Sequence, residues 1–340
     1  MHKLFIITNE SICDDNGNFY CDNLDLKSTP EGLNSHFQVE LIARHSKHKR
    51  HHKINLNNIK IHKNIISFIG NIVSLSKYKN SKFLIISLTP YTFVATLILK
   101  ILKIYPTVYL RSDGFKEYKA ILGFIGPVIY GIMFFIVSKI SFLISCEEKI
   151  LKKKDGTLVK PSQIDTDWFS NHKNAQLYSP NLLYVGRLKK EKGVFSLIKI
   201  LNNSKRNFNL SIVGKTEIDK LEKIVSKNIK IFQLETDKKK LINYYDNHNI
   251  FILPSFTEGY PMVLLESLSR LRPVIIFKDI EHVAINKKGV FVANREPYDL
   301  FKKIDFILKN YKLIQDEIKE NVIPTKNEFI KNLSELILRV

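Results

Sequence analysis

Two runs of alternating apolar and helical segments, separated by one polar stretch, constrain this chain more than any other feature. In the first run Leu4–Thr8, Phe83–Ser87, Thr107–Leu110 and Ile140–Ser145 are short apolar segments of the kind that form strands buried on both faces. Ser35–His45 and Tyr91–Lys103 have helical length and periodicity. Lys152–His172 breaks the pattern: it is polar, contains Gly156 and Pro161, and sustains no period. The alternation then resumes with strands Leu182–Val185, Leu210–Val213, Ile229–Phe232, Ile250–Pro254 and Val274–Phe277. Helices Val194–Asn202, Ile218–Ser226, Lys238–Asn247 and Pro261–Leu271 are interleaved with them. Strands alternating with helices demand crossover connections and therefore parallel pairing. The expectation is an α/β chain of two Rossmann-like, doubly wound domains, with ligands beyond the carboxyl ends of the strands.

At 340 residues there is enough chain for two medium cores. The domains are placed at 1–161 and 181–320, with a connection at 162–180 and a tail at 321–340. Cys13, Cys21 and Cys146 are too few and too scattered for a disulfide framework or a zinc site, and read as thiols in a reducing compartment. The net charge of +20 suits an anionic partner, whether nucleic acid, a nucleotide phosphate or an acidic membrane face, but also reflects a general bias towards Lys, Asn and Ile. Met1-His2-Lys3 runs directly into Leu4–Ile7, which reads as a strand rather than a secretory core. Ile121–Ser145 is apolar enough to span a bilayer. Pro127 and its neighbouring glycines favour a buried or surface-docking helix pair instead.

Two constellations carry chemistry. The first is Tyr184-Val185-Gly186-Arg187-Leu188-Lys189-Lys190-Glu191-Lys192-Gly193. A glycine at a strand end lets backbone approach a ligand, and Arg187 and Lys192 at the two ends of the loop can grip a diphosphate. Alone, the segment also reads as an ordinary solvated basic turn. The second runs from Ser255 to Glu266 directly after the strand Ile250–Pro254. Glu258 and Glu266 bracket seven residues, Gly259 follows the first, and Pro261 suits the opening of a helix. The helix start offers unpaired N–H groups and a positive dipole end. Glu266 lies inside the apolar run Val263–Leu268, a poor place for a solvated carboxylate.

In that order, the two segments resemble the C-terminal signature of family 4 glycosyltransferases, a retaining GT-B group with a Glu-x7-Glu motif. Ser211-Ile212-Val213-Gly214, Ile250–Ser255 and Arg272-Pro273-Val274-Ile275 extend the resemblance over about residues 180–280. It implies two domains facing a cleft, with the tail crossing back onto the first. Arg187 and Lys192 would then hold the leaving diphosphate in place of a metal, and Glu266 would hold the ribose. Glu258, with Gly259, Tyr260, Pro261, Met262 and Val263, would face sugar and phosphate. Gly186, Gly214 and Leu234 would complete the donor pocket. A nucleotide-diphosphate sugar would be a co-substrate, with no cofactor and no metal.

The first domain departs from the family. The expected glycine-rich loop is replaced by Asn9–Gly17, and Arg111-Ser112-Asp113-Gly114 stands where relatives place a His. Ser112 or Asp113 is either an acceptor-side sugar contact or part of a turn. The acceptor would be a glycan or lipid-linked glycan used in cell-surface polysaccharide or lipopolysaccharide synthesis, at the cytoplasmic face of an anionic membrane. The basic segments Arg44–Lys53 and Lys149–Lys154 favour lipid over nucleic acid, because no aromatic interleaving accompanies them. Histidines 45, 48, 51 and 52 have zinc-like spacing among cations that would repel the metal. The rivals are a nucleotide-sugar 2-epimerase of related fold and a non-catalytic sugar-nucleotide-binding protein.

Overall fold

The structure, a computed structural model, describes residues 1–78, 80–214 and 226–340. It divides into two units, Met1–Gln163 with Pro324–Val340, and Ile164–Ile323.

The first unit contains strands β1 (Lys3–Asp15), β2 (Asn18–Cys21), β3 (Gln38–His45), β4 (His52–Ile54), β5 (Ile59–His62), β6 (Lys82–Ile86), β7 (Thr107–Leu110), β8 (Phe142–Ser145) and β9 (Thr157–Leu158). Its helices are α1 (Leu24–Leu33), α2 (Ile65–Ser74), α3 (Pro90–Ile101), α4 (Gly114–Leu122), α5 (Gly126–Ile140) and α6 (Glu148–Leu151). Seven strands pair in parallel in the order β5-β3-β1-β6-β7-β8-β9. Ile6 lies opposite Leu41 on one side and Leu84 on the other. Connections run one way from β1 through β3 to β5, then reverse at β6, which makes the β1/β6 boundary the topological switch point. Helix Lys326–Arg339 starts on a capping box between Thr325 and Glu328. It sends Phe329, Ile330, Leu333, Leu336 and Ile337 into the same core as Leu4, Ile6 and Leu84.

Two expectations fail in this unit. Ser35–His45 is not a helix: Gln38–His45 is strand β3, buried on both faces between β1 and β5. A run buried on both faces loses the period-2 signal that marks a strand. Its one acid, Glu40, is matched by Lys3 at 2.9 Å and Lys60 at 2.7 Å. The true helix, α1, precedes it and carries Pro30 inside, which breaks helical propensity. Asn9–Gly17 is not a loop throughout either. β1 runs on to Asp15 and turns at Asn16–Gly17 into the antiparallel strand β2.

The second unit contains β10 (Asn181–Val185), β11 (Asn209–Val213), β12 (Ile229–Phe232), β13 (Ile250–Leu253), β14 (Val274–Phe277) and β15 (Val290–Ala293). They are all parallel, in the order β12-β11-β10-β13-β14-β15. The helices are α7 (Thr166–Phe169), α8 (Val194–Asn202), α9 (Lys238–Asp246), α10 (Met262–Ser269), α11 (Pro297–Lys309) and α12 (Tyr311–Ile318). Residues 218–225 of the expected helix Ile218–Ser226 lie outside the described residues.

The connection expected at 162–180 is a packed strap from Ile164 onwards. Ile164 and Trp168 are buried in the second core. Arg270, with no exposed surface, donates from Nη1 to Trp168 O at 3.0 Å and Ser170 O at 2.6 Å, and from Nη2 to Asn171 O at 3.0 Å. Arg272 Nη2 reaches Lys173 O at 2.7 Å, and Asn249 Nδ2 reaches Gln176 O and Ser179 O. Side chains 70 to 102 positions away satisfy the strap's carbonyls, so its lack of periodicity concealed its order.

Candidate functional site

In the second sheet the connections reverse between β10 and β13, where Leu183 lies opposite Phe251. Chains leaving the carboxyl ends of these two strands must diverge and leave a crevice. The loop after β10 carries the Gly186–Gly193 segment; the loop after β13 carries Ser255–Pro261.

Steric necessity draws the two loops together. Gly193 has φ +68°, and a Cβ built on it would sit 1.9 Å from Pro254 O. Only glycine allows that approach. A Cβ on Gly214 would lie 1.9 Å from Gly186 O, so β11 ends equally tightly against the first loop. Lys192, at the end of a short 3₁₀ turn, is thereby held beside the second loop. Its Nζ lies 2.7 Å from Glu258 Oε1, and Ser255 Oγ donates to the same oxygen at 2.6 Å. Phe256 N donates to Glu191 O at 2.9 Å, closing the seam with backbone.

Arg295 supports this loop from just before α11. Its Nη2 donates to Pro254 O and Ser255 O at 2.8 and 2.9 Å, and its guanidinium lies 3.9 Å from the Phe256 ring centroid. Asp279 holds its Nε at 2.7 Å. His282 Nε2 donates to Glu258 O at 3.0 Å. Sequence reading missed Ser255, His282 and Arg295 as site residues. Ser255 was visible beside the motif; the other two have no local pattern.

Glu266 is buried on α10, as the apolar run around it required. Tyr245 donates its hydroxyl to Glu266 Oε2 at 2.7 Å. Burial holds the Tyr245 hydroxyl well above its ordinary pKa, and the Glu266 charge adds to this, so the phenol keeps the proton it donates. Pro261 sits at the N-cap of α10, one position before the helix proper. Gly259, Tyr260, Met262 and Val263 are half-buried around it. Leu234 is half-buried just beyond β12, and Arg187 is exposed beyond Gly186.

Ser112 and Asp113 belong to the first unit. Asp113 Oδ1 accepts from Phe115 N at 3.1 Å as the N-cap of α4, and its other oxygen lies 3.5 Å from Lys152 Nζ. Ser112 lines a cavity of about 360 Å³ with Asn9, Ser87, Arg111, Glu117 and Tyr118. Asn9 follows Thr8, the last residue of β1 paired with β6, and Ser87 follows β6, so the cavity stands at that sheet's own switch point. Of the four closely spaced histidines, His51 pairs with Asp22 at 2.8 Å beside an Arg50–Asp22 ion pair. Among the described residues no three His, Cys, Asp or Glu side chains converge.

Residues 168–323 match the family model described as glycosyl transferases group 1. The chain is 28% identical over 154 residues to an uncharacterized glycosyltransferase of Haemophilus influenzae, covering 42% of this chain and 43% of the relative. It is 25% identical over 275 residues to the capsular polysaccharide biosynthesis glycosyltransferase CapM of Staphylococcus aureus, covering 71% and 69%. The chain thus spans less than half the length of the Haemophilus relative and about two thirds of the Staphylococcus one. Anabaena Alr3699/HepE, solved in complex with UDP and glucose, superposes with TM-score 0.70 at 12% identity, covering 100% of both chains. That likeness establishes the GT-B fold. With its switch-point loops and its match over residues 168–323, the second unit is similar to the glycosyl transferases group 1 family.

Proposed function

We propose that the protein transfers a glycosyl group from a nucleotide-diphosphate sugar to a glycan or lipid-linked glycan, with retention of anomeric configuration and without a metal ion. The observation that carries this reading is the convergence of Lys192 and Glu258 at 2.7 Å on the switch point, beside exposed Arg187.

In this reading Arg187 and Lys192 take the donor diphosphate. Lys192 exchanges part of its pairing with Glu258 for the β-phosphate and gains as charge develops there. In many enzymes fixed charge aimed at a developing leaving-group charge lowers the barrier more than any other single effect. Glu258, oriented by Ser255, faces the sugar hydroxyls, and Glu266, oriented by Tyr245, takes the ribose hydroxyls. The bond between the anomeric carbon and the diphosphate oxygen breaks, and the acceptor oxygen bonds to that carbon on the same face. The acceptor proton passes to the departing diphosphate. The CapM relative, named for capsular polysaccharide biosynthesis, makes a growing cell-surface glycan the favoured acceptor.

The test is transfer from a panel of nucleotide sugars in excess chelator, with product anomer read by NMR and Lys192→Ala run in parallel. Retained configuration in chelator is expected, with turnover of the variant lower by on the order of a hundredfold or more. An inverted product, a manganese requirement, or undiminished turnover in the variant would each overturn its part of the proposal.

A further inference from the structure

Helix α5 is apolar nearly all round yet buried on one side only. Tyr130, Met133, Phe134 and Val137 face the core of the first unit. Val128, Ile129, Ile132 and Phe135 lie on the opposite stripe, and Ile132 and Phe135 are 58% and 50% exposed. A helix hydrophobic on every face normally has a partner on every face. The preceding turn extends the patch: Ile121, Phe124 and Ile125 are 74%, 85% and 51% exposed. Contiguous exposure on this scale marks an interaction surface.

By length and composition, residues 114–140 are apolar enough to cross a bilayer. Their geometry argues otherwise. Gly123 turns the chain at φ +64°, and Gly126 packs against the Tyr118 backbone so closely that a Cβ would sit 2.0 Å from Tyr118 O. Phe115 of α4 then meets Tyr130 of α5 edge-on at 4.9 Å, so the helices form a folded pair. The longer one, 15 residues, measures about 22 Å against a hydrocarbon core of about 30 Å.

Cations rim the patch. Lys139 Nζ and Lys154 Nζ lie 4.1 and 5.4 Å from the Phe135 ring centroid. Lys116, Lys119, Lys152 and Lys153 are exposed on the same pair of helices or the turn after α6. Apolar side chains ringed by lysines match the boundary between acyl chains and anionic headgroups.

We infer that the exposed face of α4 and α5 docks the protein on an anionic lipid bilayer, with Phe124 and Ile132 inserted and Lys139 and Lys154 on the headgroups. Tyr118, Ile121 and Leu122 also line the cavity at the first switch point, so docking sets that cavity beside the lipid surface. The inference needs no donor chemistry and is tested without it.

The experiment is co-sedimentation of the full chain with vesicles of phosphatidylcholine and phosphatidylglycerol in equal parts, and with phosphatidylcholine alone. Binding to the anionic vesicles that falls at high salt is expected. Phe124→Ser with Ile132→Ser should weaken it at least tenfold, and so should Lys139→Glu with Lys154→Glu. Both double variants should melt at the wild-type temperature. Absence of binding, or variants that bind like wild type, overturns the inference. So does pelleting that only detergent reverses, which means a span. A dimer that Phe124→Ser with Ile132→Ser converts to monomer, with no lipid binding by wild type, assigns the face to a second copy instead.

Discussion

The hydroxyl of Tyr245 donates to Glu266 Oε2 at 2.7 Å, and Tyr245 itself has no exposed surface. The carboxylate offered by α10 is therefore oriented by a side chain from α9 that cannot itself reach a ligand. A hydrogen bond to a charged group contributes about 1.5–3 kcal/mol. Tyr245→Phe keeps the ring in place and removes that bond. Nucleotide affinity should fall about tenfold or more by calorimetry, with the fold retained. Unchanged affinity would show that Glu266 does not meet the nucleotide or needs no orientation.

Gly193→Ala forces an L residue into the left-handed region and sets a methyl against Pro254 O. The strain alone costs about 1–3 kcal/mol. Gly17 provides the control, at φ +80° with nothing within 4 Å of a built Cβ. Gly193→Ala should lower the melting temperature more than Gly17→Ala and should also abolish turnover, because Lys192 moves with the loop. Equal losses from the two variants would show that the close approach is not required.

Asp246 binds Arg270 through both carboxylate oxygens at 2.9 Å, and both side chains are buried. Its backbone oxygen accepts from Arg272, whose guanidinium pKa is lowered by burial. Asp246→Ala leaves buried guanidinium charge uncompensated, so unfolding in urea should show a loss of about 3–5 kcal/mol. Proteolysis should then cut first within 164–180, since the strap hangs on Arg270 and Arg272. A loss below about 1 kcal/mol would contradict the assignment of this pair as the strap's anchor.

His248 is buried, its Nδ1 donating to Tyr244 O at 2.6 Å, and burial lowers its imidazole pKa. The folded state therefore refuses a proton that the unfolded chain accepts below about pH 6.5. Stability from this residue is present above that pH and is lost as pH falls from there towards the lowered folded value. His52 and His62 are shifted in the same direction, again by burial first. His248→Gln should flatten the decline in melting temperature between about pH 7.5 and 5.5. If the slope is the same in the variant, another group governs it.

How much of this is legible in the chain depends on how local each cause is. Val194–Asn202 and Val274–Phe277 have the boundaries that periodicity gives them, because their burial pattern is written in adjacent residues. All the candidate donor residues but Gly214 and Leu234 also lie in two continuous segments, so their spacing alone points to a site. Gln38–His45 reads as helix because a strand covered on both sides shows no alternation. Residues 164–180 read as a connection because their hydrogen-bond partners, Arg270, Arg272 and Asn249, lie about 70 to 100 positions away. Separations of 40 and 21 positions likewise hide Arg295 beneath the Ser255 loop and Tyr245 behind Glu266. The exposed stripe of α5 belongs with these. Its apolar composition is plain in the chain, but which side is covered is settled only when α3 and α4 pack against it. Propensity, patterning and glycine placement act over a few residues, so most element types and the two motif loops follow from the order of amino acids alone. Satisfaction of buried charge, and the burial of one helix face over another, are properties of packing and arise only once the chain has folded.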